Sequence, residues 1–104
     1  MHALLISFTS AAPVDQLVEP FTDYAHALRD VPGLISKTWI SDGATVGGFY
    51  TFTTAADIDA YLAGSLWTSA AANPAFSGFR FERFAVVDEL TALTSPDALA
   101  RGAA

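Results

Sequence analysis

Along this chain the spacing of the apolar residues changes five times, and that succession constrains the fold more than any single motif. His2-Ala3-Leu4-Leu5-Ile6-Ser7-Phe8-Thr9 is a short apolar run closed by Ser10-Ala11-Ala12-Pro13, a strand followed by helix punctuation. From Pro13 onward, Val14, Leu17, Val18, Phe21, Ala25 and Leu28 recur at helical spacing within a stripe about 100° wide. Pro20 inside that pattern is expected to kink or break the helix, and Pro32-Gly33 to stop it. Leu34 to Ser41 and Val46 to Thr53 are β-rich runs around Asp42-Gly43, a hairpin signal. Thr54 followed by Asp57 reads as a capping box ahead of a second amphipathic helix carrying Ile58, Tyr61, Leu62 and Leu66. Gly64 is expected to end the first part of that helix. After a break at Ala70-Ala71-Ala72-Asn73-Pro74 comes a long strand, Phe76 to Val87, and then an ill-defined tail from Asp88.

The order β-α-β-β-α-β predicts an α+β, ferredoxin-like antiparallel sheet with both helices on one face. The opposite face of such a sheet turns polar where it meets water. Here Phe76, Phe84 and Val86 alternate with Phe79, Phe81 and Val87, which places apolar residues on both faces of the last strand. Two apolar faces need two coverings, since an exposed patch of that size on a monomer invites aggregation. The expectation is a homodimer whose sheets pack face to face, closing an α+β barrel around a cavity.

One domain spans residues 1–104, because a chain of 11.0 kDa has room for a single core. Hydrophobic residues at 52% and charged ones at 15% exclude disorder and coiled coil. A net charge of −6 leaves too little cation for a nucleic-acid partner. The absence of Cys excludes disulfides and thiolate sites, and with only two His a structural zinc is not expected. Ala3 to Phe8 lacks a basic flank and is short for a signal peptide, so it reads as a strand, and the expected location is the cytoplasm. No stretch approaches the ~20 apolar residues of a membrane span.

The hairpin carries the residues with chemical potential. With a turn on Gly43-Ala44, Trp39 falls opposite Gly48, Lys37 opposite Tyr50 and Ile35 opposite Phe52, all on one face. The Trp39 ring would cover the bare backbone of Gly48, and Gly47-Gly48 in mid-strand marks a packed hairpin, a bulge or a close approach. Lys37 between Trp39 and Tyr50 either snorkels to the rim or supplies a cation to a buried anion. Trp67 reads as core or lid. Tyr61 belongs to the apolar face of its helix. Arg80 and Arg83 lie on opposite faces of the last strand; Arg80 with Glu82 suggests an ion pair, and Arg83 a contact to a substrate carboxylate. His26 projects away from the apolar stripe and His2 sits at the chain end, so neither is placed as a general base.

Pro32-Gly33, Lys37-x-Trp39, Gly47-Gly48-x-Tyr50-x-Phe52 and Ala60-Tyr61-Leu62, with Pro20 inside the first helix, resemble the YdhR-like mono-oxygenase family of the dimeric α+β barrel superfamily. The hairpin turn here is shorter than is usual in that family. The resemblance implies a homodimer with a central cavity and, from relatives acting on anthrones and other phenolic polyketides, a mono-oxygenase that uses O₂ without cofactor or metal. On that reading Lys37 and Tyr50 are catalytic, as cation and phenolic donor. Trp39, Phe52, Trp67 and Arg83 are substrate-binding. A non-oxidative cyclase or isomerase in the same cavity, and a small-molecule-binding module without turnover, are the alternatives. A haem-degrading role is disfavoured, because the only Asn is Asn73 and neither His suits an axial ligand.

Overall fold

The computed structural model describes residues 1–95. Its elements are β1 (His2–Ser10), α1 (Val14–Leu28), β2 (Leu34–Asp42), β3 (Thr45–Phe52), α2 (Ala55–Ala63), α3 (Ser65–Ala71), β4 (Phe76–Ala85) and α4 (Asp88–Thr94). The four strands form one antiparallel sheet in the order β2-β3-β1-β4, the arrangement expected of a ferredoxin-like chain. Leu4, Ile6 and Phe8 of β1 join Val46, Tyr50 and Phe52 of β3 on the face that the helices cover. Leu17 and Leu28 of α1, Ile58 and Tyr61 of α2, and Trp67 of α3 close the core over them. Each fully buried apolar side chain here contributes roughly 1.5–3 kcal/mol, and Leu4, Ile6, Tyr50, Phe52 and Ile58 lie at its centre.

The punctuation behaves as its chemistry dictates. Thr54 caps α2, its hydroxyl accepting from the Asp57 backbone N–H at 3.1 Å and donating to the Asp57 carboxylate at 2.8 Å. Gly64, extended at φ −78° and ψ 158°, separates α2 from α3. The hairpin turns on Gly43-Ala44 with positive φ at Gly43 alone, the pattern of a two-residue turn with glycine first.

Four expectations are corrected. Pro20 does not break α1, which runs unbroken from Val14 to Leu28. Pro20 is exposed, so the Gln16 carbonyl it leaves without an intrahelical donor faces water. The buried residues of α1 are Leu17 and Leu28, with Phe21 and Tyr24 half-buried beside them, whereas Val14 and Val18 lie at its exposed margin. Phe76 does not share a face with Phe84: β4 gains one residue against β1 between Ser7 and Thr9, and Gly78 takes φ 66° there. This bulge carries Phe76 to the helix side, 4.6 Å from Phe8. Finally, the stretch from Asp88 forms α4 as far as Thr94, with residues 96–104 outside the described ones.

The face of the sheet turned away from the helices leaves Ile40, Phe49 and Phe84 between 41% and 50% exposed. Among the described residues no helix is long and apolar enough to cross a membrane.

Candidate active site

β2 and β3 pair as the spacing requires, with Trp39 opposite Gly48 and Lys37 opposite Tyr50. Leu34, not Ile35, faces Phe52, because the register slips between Leu34 and Ser36. These residues sit on the helix-covered face. The cavity they line therefore lies within one chain, between sheet and helices, rather than between two sheets as the sequence suggested. Phe21 and Tyr24 of α1, Trp67 of α3 and Phe79 of β4 complete its walls, around a small cavity of about 40 Å³ that opens to a mouth.

Lys37 is the only lysine in the chain, and lysine is rarely enclosed without a partner. Its Nζ lies 3.4 Å from the centre of the Trp39 ring, 4.6 Å from that of Tyr50 and 5.2 Å from that of Tyr24. Among the described residues no carboxylate pairs with it. Burial lowers its ammonium from the ordinary lysine range to about 7. The glycine opposite Trp39 proves to serve the lysine: a Cβ on Gly48 would collide with Lys37 Cε. The side chain over that bare backbone is thus the lysine stem, not the indole. At Gly47 a Cβ would strike the Ile6 carbonyl oxygen, so this glycine permits close approach of β1.

Two phenols, Tyr24 and Tyr50, stand beside the amine, and a third, Tyr61, links them. Tyr24 and Tyr61 hydroxyls are 2.6 Å apart, and Tyr61 and Tyr50 hydroxyls 3.0 Å. Burial raises all three above the usual phenol range. Three hydroxyl protons serve two hydrogen bonds in this chain, which leaves one free to donate. Tyr24 and Tyr50 line the cavity, while Tyr61 stands behind them. Tyr24 and the linking role of Tyr61 escaped the sequence reading. Tyr24 lies on the same stripe as Leu17 and Leu28, and a tyrosine on an apolar stripe requires a partner for its hydroxyl.

Other candidates fall elsewhere. Trp67 lines the cavity, 5.8 Å from Phe79 and 6.1 Å from Tyr61 between ring centres. Phe52 does not; it is wholly buried behind Tyr50, 6.0 Å away. Arg83 does not either: it donates to Asp59 at 2.8 Å and to the Ala55 carbonyl at 3.2 Å, tying β4 to α2. Arg80 forms no ion pair among the described residues. Neither histidine lines the cavity, nor does any carboxylate. A resident metal thus lacks its usual donors among the described residues. On the outer side of Trp39 a second, more open depression of about 280 Å³ runs between α1 and β2, sharing Phe21, Trp39 and Val46 with the cavity.

The family model described as "Putative mono-oxygenase ydhR" matches residues 3–97. The chain belongs to the ydhR family. Solved structures of similar fold surround this ydhR-family chain. SnoaB, a cofactor-independent oxygenase from Streptomyces nogalater, superposes with a TM-score of 0.67 at 17% identity, over 82% of this chain and 91% of its own. An antibiotic biosynthesis mono-oxygenase (so described, as putative) from Deinococcus radiodurans gives 0.64 at 12% identity, over 83% and 92%. The haem degrader MhuD from Mycobacterium tuberculosis, with two haems bound in its active site, gives 0.65 at 19% identity, over 84% and 96%. These likenesses establish the shared fold. No curated protein sequence matches the ydhR-family chain.

Proposed function

We propose that this chain is a cofactor-independent mono-oxygenase acting on a small phenolic or enolisable aromatic molecule held between sheet and helices. The observation that carries the reading is the single lysine, without a carboxylate partner among the described residues and close to neutral pH in its titration, beside phenolic donors in an aromatic cavity. A base whose pKa lies near the working pH combines availability with driving force. Lys37 as free amine takes the acidic proton of the substrate and becomes the ammonium that holds the resulting anion. Trp39 and Trp67 provide flat surfaces for the rings, and the free proton of the tyrosine chain caps an anionic oxygen. Without a carboxylate in the lining, nothing opposes an anion there.

The anion then reacts with O₂ at its electron-rich carbon. An anthrone-type CH₂ loses both hydrogens and becomes C=O, one oxygen atom entering the product and the other leaving as water. Lys37 therefore acts twice, first as a free amine that accepts the proton and then as the ammonium counter-ion.

The test is oxygen uptake with an anthrone-type phenol. One O₂ should be consumed per product molecule, and Lys37→Met should lower the rate by about 100-fold or more, the range expected for a general base. Base and phenolic donor together are also the equipment of a proton-transferring isomerase or cyclase. Product formed without O₂ would install that reading in place of oxygenation; saturable binding without product would leave a binding module.

The exposed sheet face belongs to the same reading. Ile40, Phe49 and Phe84 suit contact with a second copy of the chain, giving a homodimer with one cavity per subunit.

A further inference from the structure

We infer that Lys37 is also a carbonyl-capturing amine, at which a small aromatic aldehyde condenses as an imine within the cavity. This stands on the placement of the amine and does not require the oxygenase reading. Nucleophilic lysines are made by desolvation in apolar surroundings or beside another cation. Here the surroundings are the rings of Trp39, Tyr50 and Tyr24, all within 5.2 Å of Nζ. The titratable groups facing the amine are the phenols of Tyr24 from α1 and Tyr50 from β3, both of which remain neutral near pH 7 because burial raises them.

Placement accompanies protonation. The missing β-carbon of Gly48 leaves room for the lysine stem to cross it, and the amine lies over the rings of Trp39 and Tyr50. A planar aromatic aldehyde stacks on those walls with its carbonyl carbon toward Nζ. The amine nitrogen attacks that carbon, and its two hydrogens leave with the carbonyl oxygen as water, so C=N replaces C=O without any oxidant. The spare hydroxyl proton of the tyrosine chain assists departure of that oxygen and is restored from the nitrogen. A proton taken up from solvent then converts the neutral imine to the iminium, whose positive charge lies over the rings that face the amine.

The sequence makes the experiment unusually clean: apart from Lys37 the only primary amine is the chain terminus at Met1, which pairs with Asp88 at 3.4 Å. The full chain is treated with benzaldehyde and cyanoborohydride at pH 7, folded and in urea, and the benzylated residues are identified by peptide mass. At that pH an ordinary lysine leaves on the order of one amine in a thousand unprotonated. Lys37 should therefore label at least about tenfold faster in the folded chain than in urea. 2-Naphthol should slow labelling at Lys37 but not at Met1. Labelling of Met1 alone, equal rates at Lys37 folded and in urea, or indifference to 2-naphthol would each overturn the inference. Trapping reads no oxygen, so its failure leaves the uptake experiment standing, and the reverse holds equally.

Discussion

At the scale of the residue, the chain places its one lysine where a charge is poorly solvated, and the consequence is a particular dependence of stability on pH. Folded Lys37 titrates near 7, whereas in the unfolded chain it takes the ordinary value of 10.5. Between those values the unfolded chain binds the extra proton, so stability rises with pH across that window and is flat with respect to this group below it. The buried phenols act in the opposite sense. Raised in the folded state, they lose protons first in the unfolded chain above their ordinary value of 10.0, and stability falls there. Thermal unfolding followed from pH 6 to 11 should show a maximum at roughly pH 10. Lys37→Met should flatten the rise and, at pH 6, add on the order of 2 kcal/mol, less than the full shift implies because the ammonium keeps some water.

At the scale of the element, β4 shows how one glycine redirects a strand. Alternation read from the sequence put Phe76 with Phe84, yet the bulge at Gly78 breaks that parity and gives Phe76 to the core beside Phe8 and Phe21. Gly78→Ala forces a side chain into positive φ, although its Cβ would meet nothing closer than 3.7 Å. The expected cost is about 1–2 kcal/mol, seen as a lower midpoint in urea with an unchanged slope. The hairpin was legible to the residue for Lys37 and Trp39, because a two-residue turn leaves only one register. The bulge was not, since a lone Gly in a strand signals several things and only its partner strand selects among them. The tyrosine chain was equally hidden: Tyr24, Tyr50 and Tyr61 come from three different elements, and no local pattern brings their hydroxyls together.

At the scale of the whole molecule, the order of elements determined the sheet, whereas the side of the sheet that holds the site depended on knowing which face the helices take. Phe79 and Phe81, read as half of a two-faced surface, pack against Trp67 of α3. Phe76 leaves the outer face through the bulge, and Ile40, Phe49 and Phe84 remain exposed on it. Phe49→Asp should weaken self-association by at least about 30-fold, the equivalent of 2 kcal/mol for burying an unpaired carboxylate. Sedimentation velocity across a dilution series reads this directly, while unchanged far-ultraviolet circular dichroism shows the fold intact. Trp39 has a consequence of its own at this scale. Its indole, 37% exposed, is a partition between the cavity and the open trough along α1. Turning that single side chain aside would join the two spaces, so the room open to a guest would depend on one rotamer as much as on the walls.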